Sequence, residues 1–189
     1  VVVISNEKFL SINNSKNQEG ATIAYRDDPF FIDPRNKELG ARGIVSLEKL
    51  YLSIKKLELK LEDPKNYYEL SYNLGIAQIN TKNLQEKVFG LECNFEELNG
   101  IDFKKGCYVG QENTARMKLK NKLRKKLFAV KSKEKLKVGS DINYNSVKIG
   151  QIVIDEPYPF VLIKIVYPDF SEYKDKDLLI NDSKSKIIK

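Results

Sequence analysis

The first part of the chain alternates short apolar runs with polar segments. Apolar runs at 1–4, 21–25 and 30–32 are separated by Ser, Asn, Lys and Gly residues, which predicts three short strands in a meander. Asp33 and Pro34 end the third run, because proline fixes φ and aspartate favours turn initiation. The chain is therefore expected to open with β-structure.

Helical periodicity begins after these strands. Apolar residues recur at helical spacing over 47–61, with Ser46 in the N-cap position. A second helix is bounded by Asp63 as its cap, Pro64 at its first position and Gly75 just past its end, an arrangement typical of helix termini. Two shorter helices are predicted at 94–98, with Asn94 as the cap, and at 110–117.

The last third of the chain shows a different pattern, in which β-branched and aromatic runs are interrupted by Gly, Asn and Pro. The pattern predicts a small antiparallel β domain or barrel. Asn143 and Asn145 are expected breaks, and the polar junction at 118–126 is the expected boundary, so we divide the chain into domains 1–122 and 123–189. The predicted strands lie at 127–130, 147–154 and 160–166.

Composition narrows the possible functions. The 189 residues are 41% hydrophobic, enough for one large domain or two small ones. The absence of histidine excludes Ser-His and Cys-His catalysis, and the two cysteines lack the CxxC spacing of a zinc site. No apolar run reaches membrane-spanning length, so no membrane partner is expected. The net charge of +7 fits either an anionic partner or a lysine-rich composition without a functional role.

The segment 105–112, Lys-Gly-Cys-Tyr-Val-Gly-Gln-Glu, places one of the two cysteines between two glycines. Glycines permit close backbone approach, and Lys104 and Lys105 together with the following helix start would favour a thiolate at Cys107. Cys107 is therefore the candidate working thiol. Cys93 lacks such a setting and is expected to be structural or incidental.

A run of cations follows the cysteine segment. Such a cluster can hold phosphates, a polyglutamylated ligand or an acidic partner protein, but it can equally be a solvated linker face. No interleaved aromatic pattern supports specific RNA recognition. The run contains seven cations and no acid, namely Arg116, Lys118, Lys120, Lys122, Arg124, Lys125 and Lys126.

The cysteine segment resembles the signature K-G-C-[FY]-x-G-Q-E of the YgfZ family, folate-binding relatives of the glycine-cleavage T-protein that take part in maturation or repair of iron-sulfur proteins. Ser71, Gln78 and Asn113 depart from the family pattern. The resemblance extends over about 33–166, through the segments 33–42 (D-P-R-x-x-x-L-G-x-R), 75–77 (G-[IV]-[AP]), 95–103, 114–117 and 124–125 (T-A-R…R-K).

The resemblance implies an α+β fold. It would comprise a T-protein-like, aminomethyltransferase-like folate-binding body with ferredoxin-like substructure, in residues 1–122, and a C-terminal antiparallel β-barrel in 123–189. Family members are longer at the N-terminus, and the chain opens on Val in an apolar run, so we expect that an N-terminal part is missing.

The resemblance also implies a function: a folate-dependent accessory protein for assembly or repair of iron-sulfur clusters in client enzymes. Cys107 and Lys105 are the candidate catalytic pair, with Lys105 biasing the thiolate, and no intrinsic metal is expected, although Cys107 can serve as a transient cluster ligand. Tetrahydrofolate is the expected cofactor, with Arg42, Tyr108 and Arg116 as candidate contacts. The motif loop also includes Gly106 and Gly110, which shape it, and Gln111 and Glu112, which order the following helix or hydrogen-bond nearby groups.

Two alternatives from other classes stay open at this point. One is a tetrahydrofolate-dependent aminomethyltransferase of glycine cleavage, whose chemistry needs no cysteine. The other is a basic RNA-binding protein associated with tRNA modification, although direct nucleic-acid contact is less favoured. The expected partners are folate and iron-sulfur assembly or client proteins, in the cytoplasm of a bacterium or in the mitochondrial matrix of a eukaryote.

Overall fold

The computed structural model describes residues 1–12, 17–181 and 183–188. Part of the polar segment between the first two predicted strands therefore lies outside the described residues, as do positions 182 and 189 of the predicted barrel domain. The chain packs as two compact units, Val1–Tyr67 with Glu97–Gly100 and Tyr68–Glu96 with Ile101–Lys189. The domain division at 122/123 stays a prediction.

The first unit contains a four-stranded antiparallel sheet with the order β1-β4-β3-β2. A helix that the sequence pattern did not predict, α1 (Asn6–Ile12), follows the first strand. The predicted meander is wrong for β1, which pairs with β4 instead of β2. The intervening helix α1 packs Phe9 against Ile32 and Ala41 in the buried core of this unit, which the strand pattern alone does not reveal. The strands are β1 (Val2–Ile4), β2 (Thr22–Tyr25), β3 (Asp28–Ile32) and β4 (Ala41–Gly43).

Helix α2 (Leu47–Lys56) begins as predicted, with Ser46 Oγ accepting a hydrogen bond from the Lys49 amide at 3.3 Å. It ends before the apolar pattern does. Glu58 takes a left-handed φ of 51° and the Leu59 amide donates back to the Ile54 carbonyl at 3.0 Å, which closes the last turn. The predicted extension to 61 is therefore wrong.

Helix α3 (Pro64–Asn73) has both of its predicted termini. The Asp63 carboxylate accepts a hydrogen bond from the Lys65 amide at 2.8 Å, and Gly75 has the left-handed φ of 74° that favours glycine after a helix. The helix begins in the first unit and ends in the second.

The short helix predicted at 94–98 does not form. Residues 90–99 make successive turns, in which Asn94 has a left-handed φ of 61°. The Asn94 side-chain amide donates to the Leu127 carbonyl at 2.7 Å, and the Leu127 amide donates to the Glu92 carbonyl at 2.8 Å. These tertiary hydrogen bonds replace the local capping that the sequence suggested. The next predicted helix is confirmed as α4 (Gln111–Leu119).

Six described strands of the second unit close an antiparallel barrel with the order β10-β5-β8-β7-β6-β9. The predicted C-terminal barrel and the mixed α and β content are confirmed. The strands are β5 (Lys125–Ser132), β6 (Asp141–Tyr144), β7 (Val147–Ile154), β8 (Phe160–Lys164), β9 (Leu178–Ile180) and β10 (Ser183–Ile187).

Three of these strands were missed by the sequence pattern. The expected break at Asn143 lies inside β6, and β9 has only three residues. Strand β10 reads Ser-Lys-Ser-Lys-Ile, with Ser185 buried in place of an apolar residue. Closure of the barrel gives such polar or short segments a hydrogen-bonding partner on both sides, so they form strands without a strong hydrophobic pattern.

Two apolar clusters fill the second unit. The larger one includes Ile163 and Tyr173, both without exposed surface, and the Tyr173 hydroxyl donates to the Lys164 carbonyl. In the smaller one Tyr72 of α3 packs against Phe160 and donates to the Val130 carbonyl. Burial raises the pKa of each of the two tyrosines to about 12. Tyr72 is therefore a packing residue of this cluster.

We predict that Gly150→Ala destabilises the barrel. A Cβ at this position of β7 would lie 2.5 Å from the Leu162 carbonyl oxygen of the adjacent strand, so the strands would have to move apart. The expected loss is roughly 1–3 kcal/mol of unfolding free energy, measured by urea denaturation. Gly106→Ala is the control, because its Cβ would meet nothing within 4 Å. Equal stability of the two variants would contradict the prediction.

Candidate functional site

The cysteine loop lies in the second unit, between the turns at 90–99 and α4. Cys107 is exposed and free, with no disulfide. Cys93 is half-buried, and burial, followed by the negative charge of Glu92, raises the pKa of its thiol. A raised pKa disfavours the nucleophilic and metal-binding thiolate. Of the two thiols, Cys107 is therefore the one that a partner can reach.

The loop is joined to α4 through Gln111. The Gln111 side-chain oxygen accepts a hydrogen bond from the Tyr108 backbone amide at 3.2 Å. The Gln111 backbone amide in turn donates to the Tyr108 carbonyl at 3.2 Å. Gly110, between them, has a left-handed φ of 83° that favours glycine. Glu112 is exposed in the first turn, where a negative charge interacts favourably with the helix dipole. The sequence did not indicate the reciprocal pair between Tyr108 and Gln111.

Lys105 contacts an aromatic ring. Its ammonium nitrogen lies 4.5 Å from the centroid of the Tyr108 ring, which is a cation–π distance. The predicted influence of Lys105 on the thiolate stays a prediction. Gly106 has open space around it and no left-handed φ, so neither close packing nor backbone strain explains a glycine there.

Arg116 is exposed on α4, and its neighbour along the helix, Lys118, is held by other groups. The Lys118 ammonium lies 2.6 Å from Glu96 Oε1 and 5.7 Å from the centroid of the Phe103 ring. Such a partly exposed ion pair contributes only about 0–1 kcal/mol. It nevertheless brings this face of α4 into contact with the turn that contains Glu96.

Arg42, the third candidate folate contact, lies on β4 in the other unit. Its Nε is 2.8 Å from Oδ2 of Asp33, a carboxylate with no exposed surface. Arg35 binds the same carboxylate with its Nε at 3.0 Å and Nη2 at 2.8 Å, and the Nη2 atoms of both arginines donate to the Tyr67 hydroxyl. The cluster of Asp33, Arg35, Arg42 and Tyr67 is here called the arginine cluster.

The arginine cluster sets the ionisation of its members. Burial alone would raise the pKa of Asp33, but hydrogen bonds from Arg35 and the charges of both arginines outweigh it and hold the pKa below 3.8. The hydrogen bond to Asp33 raises the pKa of Arg35. The local sequence pattern predicts only a turn at Asp33 and not its burial. The sequence contains one signal for this burial, namely the two arginines that follow Asp33 within ten residues, because a buried carboxylate needs cationic partners.

The structure places the predicted residues in two groups. Cys107, Lys105, Tyr108 and Gln111 belong to one loop of the second unit, whereas Arg42 belongs to the first unit. Gly106, Gly110, Glu112 and Arg116 lie on the loop or on α4. In the described part of the chain, no group of three or more Cys, Asp or Glu residues is arranged to hold a metal ion.

Comparison with known proteins gives a consistent set of relatives, although no family model matches the chain. One relative from Dictyostelium discoideum, named "Iron-sulfur cluster assembly factor IBA57 homolog, mitochondrial", is 38% identical over 102 residues, covering 52% of this chain and 24% of the relative. The chain is similar to iron-sulfur cluster assembly factors.

Two further relatives carry the IBA57 name. The chain is 34% identical over 113 residues to "Iron-sulfur cluster assembly factor IBA57, mitochondrial" of Mus musculus, covering 60% of this chain and 29% of the relative. It is 32% identical over 120 residues to the IBA57 homolog of Mycosarcoma maydis, covering 60% and 27%. The matched segment thus spans about a quarter of the length of these curated relatives.

We predict that Gln111→Ala loosens the junction between the cysteine loop and α4. The Tyr108 backbone amide would lose its side-chain acceptor, and with it a net stabilisation of about 0.5–1.5 kcal/mol. That loss corresponds to roughly twofold to tenfold faster hydrogen exchange at the Tyr108 amide. Asn113→Ala, an exposed position in the same helix, is the matched control and should leave that exchange rate unchanged. Identical rates in the two variants would show that Gln111 does not hold the loop.

We also predict that the arginine cluster makes stability pH-dependent. The pKa of Asp33 is lower in the folded state, so its stabilising effect is present above the unfolded value near 3.8 and is lost as the pH falls through the folded pKa. Asp33→Asn should cost roughly 2–4 kcal/mol at pH 7, because two cations lose their carboxylate, and should flatten the decline in acid.

The measurement is urea denaturation from pH 7 to pH 3. Asp27→Asn, at an exposed turn of the same unit, is the control. A parallel pH dependence in wild type and Asp33→Asn would contradict the assignment of this effect to Asp33.

Proposed function

We propose that the chain is part of an accessory factor of the YgfZ family that supports assembly or repair of iron-sulfur clusters in client enzymes, with Cys107 as the working thiol. The printed names of the curated relatives support the iron-sulfur role. The observation that carries the role of Cys107 is its exposure on a loop that Gln111 holds at the start of α4. An exposed thiol on a defined loop can meet a partner's cluster.

The chemistry requires a shared site. One thiolate cannot hold a cluster alone, and the described residues provide no group of three or more carboxylates and thiols for a resident metal. The cluster is therefore a substrate, held mainly by the partner, and Cys107 supplies one transient ligand to its iron. A thiol must lose its proton to bind iron, and burial raises the pKa of Cys93 against that loss, whereas the exposed Cys107 is open to the partner.

Tetrahydrofolate, the proposed cofactor, finds a poor fit in the candidate residues. The Arg42 guanidinium is already engaged by Asp33 and Tyr67, although it shares the Asp33 carboxylate with Arg35. The Tyr108 ring has the Lys105 ammonium over it, in the position that a stacked pterin would take. The proposed role of Cys107 therefore does not depend on tetrahydrofolate. Folate binding stays a prediction from the family resemblance, and the T-protein-like fold is proposed on the same basis.

The location of the protein is proposed from its relatives. Their printed names include "mitochondrial", which supports the mitochondrial matrix for a eukaryotic source. In the described part of the chain, no helix combines the length and the apolar character that crossing a bilayer requires.

We predict that Cys107→Ser abolishes support of an iron-sulfur enzyme. In cells that lack the protein, the activity of a cluster-dependent client is measured after expression of each variant in the natural polypeptide. Cys107→Ser should give the deletion value, because serine does not replace a thiolate ligand to iron. The thermal unfolding midpoint should not change, since Cys107 is exposed.

Cys93→Ser is the matched control and should retain client activity, because the Cys93 thiol is half-buried. Full client activity with Cys107→Ser would refute the role of this thiol. An equal loss with Cys93→Ser would indicate that the effect is not specific to the exposed cysteine.

A further inference from the structure

The net positive charge of the chain is concentrated in one segment. Residues 103–126, here called the basic segment, comprise most of the cysteine loop, α4 and the start of β5. They contain nine of the 33 cations and one of the 26 acids, so the rest of the chain holds 24 cations against 25 acids. The net charge of +7 is therefore a property of this segment and not of the composition as a whole.

Three of these cations have no ion-pair partner among the described residues. Lys120, Lys122 and Arg124 are exposed, and within the described part of the chain no ion pair involves them, whereas Lys118 is paired with Glu96. A surface that concentrates one sign of charge attracts a partner of the opposite sign and increases its association rate. The unpaired cations thus point to an anionic partner.

The positive charge of the basic segment continues onto the barrel, where two lysines on adjacent strands repel each other. Lys125 of β5 lies directly opposite Lys164 of β8, and like charges in such cross-strand pairs are destabilising. The other pair of this kind, Lys131 opposite Lys186, has Asp177 within 3.5 Å of Lys186. No ion pair in the described residues compensates Lys125 or Lys164. An anionic partner would provide that compensation.

The basic segment also exposes apolar side chains. Val109, two residues from the thiol, has a relative exposure of 103%, and Leu119 at the end of α4 has 83%. No residue of α4 is buried. Apolar contacts surrounded by charge are typical of protein interfaces. Binding of a single-stranded nucleic acid would instead use open aromatic faces for base stacking, but lysines lie over the rings of Phe103 and Tyr108.

From these observations we infer that the basic segment is a docking surface for an acidic partner protein, whose carboxylates meet Lys120, Lys122 and Arg124 and whose apolar residues cover Val109 and Leu119. The inference rests on the proposed function in one respect, namely that docking there brings the partner's cluster to Cys107. It specifies the chemistry of the partner: an excess of Asp and Glu around an apolar centre.

Photo-crosslinking in the source cells tests this surface. p-Benzoylphenylalanine is placed at Val109 or Leu119 and, as a control, at Val147, an exposed apolar position of β7. The expected result is a crosslink from the first two positions to a protein whose crosslinked region is rich in Asp and Glu, and no product from Val147. A ribonuclease-sensitive product, a region without excess acid, or no product above the Val147 level would overturn the inference.

Charge reversal tests the electrostatic contribution. Lys120→Glu with Lys122→Glu should lower the crosslink yield about fivefold, because both substitutions repel an acidic partner. Lys133→Glu with Lys137→Glu changes the net charge equally at exposed positions outside the basic segment, and should leave the yield within about twofold. An equal loss in the two double variants would mean that only the total charge matters, and would overturn the assignment.

The Cys107→Ser variant separates this inference from the proposed function. It removes the thiol but keeps the surface, so the crosslinks should persist while client activity is lost. Crosslinks that persist with full client activity would leave the docking surface in place and refute the role of the thiol. Loss of client activity without specific crosslinks in any variant would refute the docking surface alone.

Discussion

One edge of strand β5 bonds to two different partners, namely β10 along its second half and the turns before the cysteine loop along its first half. The position of the cysteine loop depends on the second of these contacts. The second half of β5 pairs with β10 from Val130 onward, while β8 pairs along its other edge. The first half, at Leu127, exchanges hydrogen bonds with Glu92 and Asn94 instead. The turns that precede the cysteine loop are thereby fixed to the barrel, and α4 leads from the loop back into the same strand.

This arrangement separates stability from accessibility. Buried side chains of the barrel provide the stabilising apolar contacts, whereas the loop and α4 bury little and are held by directed hydrogen bonds and one ion pair. A segment of that kind can present a thiol, unpaired cations and apolar residues together, because none of them is needed for the core. The thiol, the cations and the apolar residues of this segment are therefore accessible for contact with another protein.

The two cysteines have the same side chain, but the tertiary structure gives them different exposure. Sequence context favoured Cys107 because of its glycines and lysines, and its exposure agrees with a working role. The half-buried position and raised pKa of Cys93 follow from the packing of its turn. The predicted effect of Lys105 on the thiolate is less direct, because the described contact of this lysine is the Tyr108 ring.

Features that arise from local physics can be predicted from the amino-acid sequence. The caps at Ser46 and Asp63, the glycine after α3, the helix after Gly110 and the apolar strands of the barrel all depend on neighbouring residues, so their patterns are readable. Long-range packing, by contrast, establishes the pairing of β1 with β4, the polar strand β10 and the burial of Asp33 between two arginines. These features depend on partners distant in sequence or on closure of a sheet, and the energy that fixes them is not contained in any local pattern.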